Sequence, residues 1–165
     1  MFGQTIYDFS TMRIGFEVFR YEGDYVVEHW DNIQPREGIM VGGTTDLCDL
    51  ELTEDNRKLV KCFIEKIFIN KQSEKISEFV NLDSFVEHST LLNLLEKFKT
   101  MDYKQTHHIL AEGNFILAAT EGYNCDAHTS FYDLFRIEDK KIVEHWDTTE
   151  KIPPPDTWKN NNRKF

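Results

Sequence analysis

The chain has 165 residues, of which 40% are hydrophobic and 13% aromatic, and a formal net charge of -10. That length suits one domain or slightly more with a sizeable core, and the acidic balance argues against nucleic acid and anionic membranes as partners. The three cysteines, Cys48, Cys62 and Cys125, share no Cys-x-x-Cys spacing, which argues against a disulfide framework or a zinc knuckle. With no signal peptide and no long apolar run, the expectation is a soluble protein of a reducing cytoplasm.

In chain order, Ile14–Phe19 and Tyr25–Trp30 flank Glu22-Gly23-Asp24 and predict a β-hairpin. Pro35-Arg36-Glu37-Gly38 and Gly42-Gly43-Thr44-Thr45 are breakers that mark a linker to about Asp49. A helix is expected next, with Thr53 as N-cap and Glu54 and Asp55 in its first turn, where the helix dipole favours acids. Leu59, Val60, Phe63, Ile64, Ile67 and Phe68 recur at three- and four-residue steps and give it one apolar face. Shorter helices are expected over Glu74–Phe79 and about Thr90–Phe98. Beyond Met101 the pattern becomes extended: Thr106–Ala111, Phe115–Gly122, Ala127–Ile137 and Lys141–Asp147 predict an antiparallel meander. Pro153-Pro154-Pro155 ends regular structure before an extended tail with the basic residues Lys159, Arg163 and Lys164. The expected class is α+β: a cone-shaped curved antiparallel sheet wrapped around three helices, with an apolar pocket at its open end and an extra N-terminal hairpin.

One word, Val-Glu-His-Trp-Asp, occurs twice, at Val27–Asp31 and Val143–Asp147. An offset of 116 residues carries Arg20 to Arg136 and His29 to His145 without a gap. The same offset matches Phe19 to Phe135, Glu22 to Glu138 and the acid Glu17 to the acid Asp133. This is an internal repeat about one small domain long. The expected organisation is residues 1–40 as the closing hairpin of a first domain lacking its helical half, 41–52 as linker, and 53–165 as a complete domain with an extended tail. A lone hairpin is marginal in water, so this one is expected to dock on the outer face of the complete domain's sheet or on a second chain.

The stretch Tyr132–Asp147 resembles the closing hairpin of SnoaL-like, polyketide-cyclase-like proteins of the nuclear-transport-factor-2-like superfamily. Asn56–Phe68 is similar to the opening helix of that family, and Phe79-Val80 with Phe85-Val86-Glu87-His88 to its third element. Leu110–Phe115 is similar to its middle turn, and Ile152–Pro155 with Trp158-Lys159-Asn160 to a subset of aldol-condensation type. Lys140 stands where the last turn usually has Gly, although the first copy keeps Gly23. The resemblance implies a cone fold, a small hydrophobic ligand, no cofactor and a homodimer through the sheet face. It also implies cofactor-independent aldol-type acid–base chemistry, in a lyase or isomerase acting on a carbonyl compound. A non-catalytic ligand-binding or dimerisation module of the same fold is the alternative.

Such chemistry needs a base beside a carbonyl and a donor near the developing enolate. Asp133 is the first candidate: among Phe131, Tyr132, Leu134 and Phe135 a carboxylate is costly unless used or paired. Pairing with Arg136 or a histidine is the structural alternative. His88 is a candidate acid–base partner, or else a helix-end histidine bound to carbonyls. Alternation puts His145 and Asp147 on one face of their strand and Glu144 and Trp146 on the other. His145 is expected in or behind the pocket, although its twin His29 suggests that the repeated word largely serves packing and cross-strand pairing. Phe63, Phe85, Tyr132, Phe135, Trp146 and Arg136 are expected to line the pocket. Adjacent His107 and His108 face opposite sides and do not chelate easily, so no metal site is expected. Cys125 reads as a loop cysteine, and no phosphate-binding loop is present.

Overall fold

The computed structural model describes residues 2–8, 12–35, 42–88, 94–158 and 164–165. Three strands come first: β1 (Phe2–Asp8), β2 (Met12–Glu22) and β3 (Tyr25–Pro35), antiparallel in that order. The expected hairpin is therefore longer than its apolar runs, and β1 adds a strand that the apolar pattern did not suggest. Helix α1 (Thr53–Phe63) continues as π-helical turns over Ile64–Ile69, and a 3-10 helix covers Ser73–Glu78 where an α-helix was expected. Strand β4 (Val86–Glu87) is short, and helix α2 spans Leu94–Thr100. The front of the third expected helix lies outside the described residues, as do 36–41 of the linker and 159–163 of the tail. Strands β5 (Met101–Glu112), β6 (Phe115–Asn124), β7 (Ala127–Glu138) and β8 (Lys141–Lys151) follow, and a 3-10 turn at Pro155–Thr157 lies beyond them where regular structure was expected to have ended.

The main sheet runs β4-β8-β7-β6-β5, antiparallel except for β4, which lies parallel to β8. Its inner face packs on α1 and the π turns. Val60, Phe63, Ile64, Ile67 and Phe68 meet Ile116, Ala118, Phe131, Phe135, Ile137 and Ile142 in one core. The period-3.6 stripe of the helix and the period-2 stripe of the strands are thus the two halves of one contact. Thr53 is the first helical residue rather than the cap. Its hydroxyl donates to Leu50 O and accepts from Gly113 N, 2.7 and 2.8 Å, so it ties the helix start to the β5–β6 turn.

The outer face of β6–β8 carries a second core. Leu117, Ala119, Tyr132, Leu134 and Trp146 pack against Phe16, Val18 and Trp30 of the N-terminal sheet. The surface expected to hold a second chain is thus covered by the chain's own first strands. The bonds across this contact are reciprocal under the repeat offset of 116. Thr149 N donates to the Gln34 side chain at 2.9 Å, and Ile33 N donates to the Glu150 side chain at 3.3 Å. Thr148 and Asn32, one offset apart, meet each other through Thr148 Oγ1 and Asn32 O at 3.3 Å. Residue i touching j while the counterpart of j touches the counterpart of i is the signature of a two-fold contact between like surfaces, here formed within one chain. Lys164 straps the two sheets, reaching Asp31 O at 2.7 Å and Glu150 Oε2 at 2.5 Å.

Candidate functional site

Strand alternation turns Phe131, Asp133 and Phe135 of β7 inward, together with His145 and Asp147 of β8. Asp133 and His145 are both 0% exposed. His145 Nε2 lies 2.9 Å from Asp133 Oδ1, and its Nδ1 lies 2.9 Å from Glu87 Oε1 of β4. Both ring nitrogens therefore face carboxylates, and both donate when the ring is an imidazolium. The ring stacks on Phe135 with centroids 4.8 Å apart. The parallel pairing of Glu87 with His145, and the bond from His88 N to His145 O at 2.8 Å, hold the acid in place.

Asp133 and Asp147 are directly opposite across the β7–β8 ladder, a costly like-charge pairing. Lys97 of α2, 1% exposed, answers it with its Nζ 2.6 Å from Asp147 Oδ2. The cluster thus sets three acids (Glu87, Asp133, Asp147) against two bases (Lys97, His145). Burial raises the Asp133 pKa, and this outweighs the opposite pull of His145 and Lys97. For His145 burial acts downward, but the neighbouring carboxylates, Glu87 foremost, prevail and lift it to about 9. Burial also opposes the charge on Lys97, and Asp147, Glu87 and Asp133 reverse that to a net rise. Burial, then the negative charge of Asp133, pushes the Tyr103 hydroxyl well up, so it stays protonated. Its hydroxyl approaches Asp133 Oδ1 at 3.4 Å. Asp133 Oδ2 is buried and accepts no hydrogen bond among the described residues.

Of the residues expected at the site, Asp133, His145, Phe63 and Phe135 share the interior, and Phe85 packs half-buried against the same core. His88 lies elsewhere. It stacks on Trp146 at 4.7 Å and meets Glu144 Oε2 at 3.2 Å, on the opposite side of β8 from His145. Tyr132 and Trp146 belong to the outer core beneath the N-terminal sheet. Arg136 is forked between Glu144 and Glu138. The acid of the Glu87-His88 pair, not its histidine, reaches the inner cluster, because adjacent strand residues point apart. Lys97 sits three residues beyond Leu94, on the apolar side of its helix. A lysine there was the available sign of a buried acid to be met.

His107 and His108 do face opposite sides: His107 bonds Glu121 at 2.7 Å, and His108 tilts over Trp30. Among the described residues no group of three or more His, Cys, Asp or Glu side chains is placed to hold a metal ion. A cavity of about 680 Å³ lies between α1 and β5, lined by Arg57, Lys61, Glu65, Thr106 and His107, and another of about 220 Å³ lies beneath Trp158 and Phe165. Neither reaches Asp133.

No protein-family model matches the chain, and no curated protein matches it in sequence. Solved structures do. A ketosteroid-isomerase-like protein of Kribbella flavida DSM 17836 superposes with a TM-score of 0.53 at 14% identity, covering 63% of this chain and 85% of that one. A loop-truncation variant of IdmH gives 0.45 at 15% identity, over 58% of this chain and 92% of that one. The fold is the nuclear-transport-factor-2-like α+β fold, a curved sheet over a helical layer, with an added N-terminal sheet.

Proposed function

We propose that the chain is a cofactor-independent acid–base enzyme, an isomerase or lyase of aldol type acting on a small hydrophobic carbonyl compound. The observation that carries this reading is Asp133 Oδ2, an acceptor buried among Phe131, Phe135 and Tyr103 with no donor among the described residues. Burial that lifts a carboxyl pKa makes it a stronger base near neutral pH once ionised. In this reading Asp133 removes the proton next to the carbonyl. His145, held by Glu87, fixes the orientation of Asp133, and its imidazolium charge offsets the negative charge that passes from the carboxylate to the enolate as Asp133 takes up the proton. The Tyr103 hydroxyl, kept protonated, is the donor for the enolate oxygen. Because Asp133 is fully buried, substrate entry requires the interior to open. The ketosteroid-isomerase-like neighbour supports the fold on which this rests, not the substrate.

The experiment is a thermal-shift screen of hydrophobic ketones, followed by turnover assays with Asp133→Asn. A ligand that binds only the folded chain raises its melting point. Loss of the base should cut kcat by about 10²- to 10⁴-fold with the fold intact. Undiminished turnover by the variant would sink the assignment.

The sealing of the cluster specifically favours a second reading, a non-catalytic module in which the ionic network only braces the sheet. A screen with no ligand, together with a lowered melting point in Asp133→Asn as His145 loses its buried partner, is its expected outcome. In either reading, a homodimer must use a surface other than the outer face of β6–β8, which β2 and β3 cover.

A further inference from the structure

The N-terminal sheet repeats the inner cluster as well as the five-residue word. His29 Nε2 bonds Glu17 as His145 Nε2 bonds Asp133. Phe19 stacks on His29 with centroids 4.6 Å apart, as Phe135 does on His145 at 4.8 Å. Arg20 is forked between Glu28 and Glu22 as Arg136 is between Glu144 and Glu138. Even the β-bulge recurs, between Arg20 and Tyr21 and between Arg136 and Ile137. The difference is cover. Ile137, Ile142 and Val143 are 2%, 0% and 5% exposed, while their counterparts Tyr21, Val26 and Val27 are 43%, 50% and 42% exposed. In the second copy this surface is closed by the 3-10 segment, through Val80 and the Ile142 N to Phe79 O bond, and by the apolar stripe of α1 and its π turns.

We propose that the outward face of β2–β3, centred on Tyr21, Val26, Val27 and the Glu17–His29 pair, is a docking surface for a basic amphipathic helix of a partner protein. Such a helix would lie over it as α1 and its π turns lie over the inner face, where Phe63 and Phe68 meet Phe135, the counterpart of Phe19. Shape follows from the equivalence: a face built like β7–β8 accepts apolar side chains at three- and four-residue spacing. Charge decides between occupants. Glu17 lies on this face and Glu22 and Asp24 at the hairpin tip beside it, while Arg20 and Glu28 take the other side of the sheet, as Arg136 and Glu144 do, within a molecule of net charge -10. Two copies set face to face would oppose these acids, whereas a helix bearing lysines would meet them.

The probe is a synthetic peptide of residues 53–70, the chain's own covering helix, with four basic and three acidic side chains. It is titrated calorimetrically into the full chain and into Val26→Ser/Val27→Ser, which removes apolar surface without adding charge at solvent-exposed positions that belong to neither core. Saturable binding that weakens at least about tenfold in the variant, and also weakens in high salt, is the expected result. No saturation up to about 1 mM, or equal affinity for both proteins, overturns the proposal. Equal affinity would mean that the peptide exchanges with the internal helix. Binding indifferent to salt overturns the choice of a basic partner. A wild-type dimer in sedimentation that the double substitution dissolves would assign the face to a second copy and also overturn it.

Discussion

His145 is the residue on which the interior charge balance turns. Its pKa, lifted from 6.5 to about 9, lies above the value it has in the unfolded chain. The stability its imidazolium contributes is therefore whole below pH 6.5 and is lost as pH rises through 9, amounting to about 3 kcal/mol at most. Asp133 is shifted in the same direction, so it does not offset the loss. Urea midpoints measured at pH 6.5 and 9.5 should fall in the wild type and change much less in His145→Asn. A His145 imidazole resonance, assigned by its loss in His145→Asn, that titrates near 6.5 in the folded protein would refute the account. Alternation along a strand was enough to put His145 and Asp147 on one face from the sequence alone, but that Asp133 shares this face follows from the β7–β8 register, which sets Asp133 opposite Asp147. Glu87 and Lys97 were not readable in that way. They reach the cluster from a two-residue strand and a seven-residue helix, whose docking is set by tertiary contacts rather than by local periodicity.

Among the elements, the β5–β6 turn does more than reverse the chain. Gly113 has φ +57, and a Cβ there would stand 2.0 Å from Cys48 O. Around it Asn56 Nδ2 donates to Gly113 O, Asn114 N donates to Cys48 O, and Cys48 N donates to Asn114 Oδ1, so the linker, α1 and the sheet are clasped at one point. Gly113→Ala combines a disfavoured backbone with a backbone clash and should cost about 2 kcal/mol or more, seen as a lowered denaturation midpoint. The Gly113-Asn114 signal marked the turn in the sequence, but nothing local announced the linker that presses on it. The short Ser73–Glu78 helix shows the same limit. Its residues carry a helical composition, yet Asn81 N donates to Ile142 O and Ile142 N to Phe79 O, and this edge contact with β8 claims the backbone just beyond.

For the molecule as a whole, the repeated word predicted a hairpin docked on the main sheet, and the described strands have that arrangement, with β1 as the unforeseen third strand. The apolar pattern of β2 missed its partner because an edge strand needs no long apolar run of its own. Phe16, fully buried where the two sheets meet, tests how far the halves depend on each other. Phe16→Ala should cost about 3 kcal/mol. It should redden the emission of Trp30 and Trp146 together and speed amide exchange in β2 and β3 before β5. Unchanged exchange in the N-terminal strands would show that the sheets do not support one another.

The reciprocal contact between those sheets has a consequence for how the interface can vary. When identical subunits meet across a dyad, one codon alters both sides at once, and every pair must suit its own mirror image. Here positions 32 and 148, or 14 and 130, are encoded separately. Asn32 can donate to Ser130 Oγ at 2.6 Å while the mirrored positions hold Thr148 and an apolar Ile14. The geometry of the seam is reciprocal, while its two lips, each specified by its own codons, carry different chemistry.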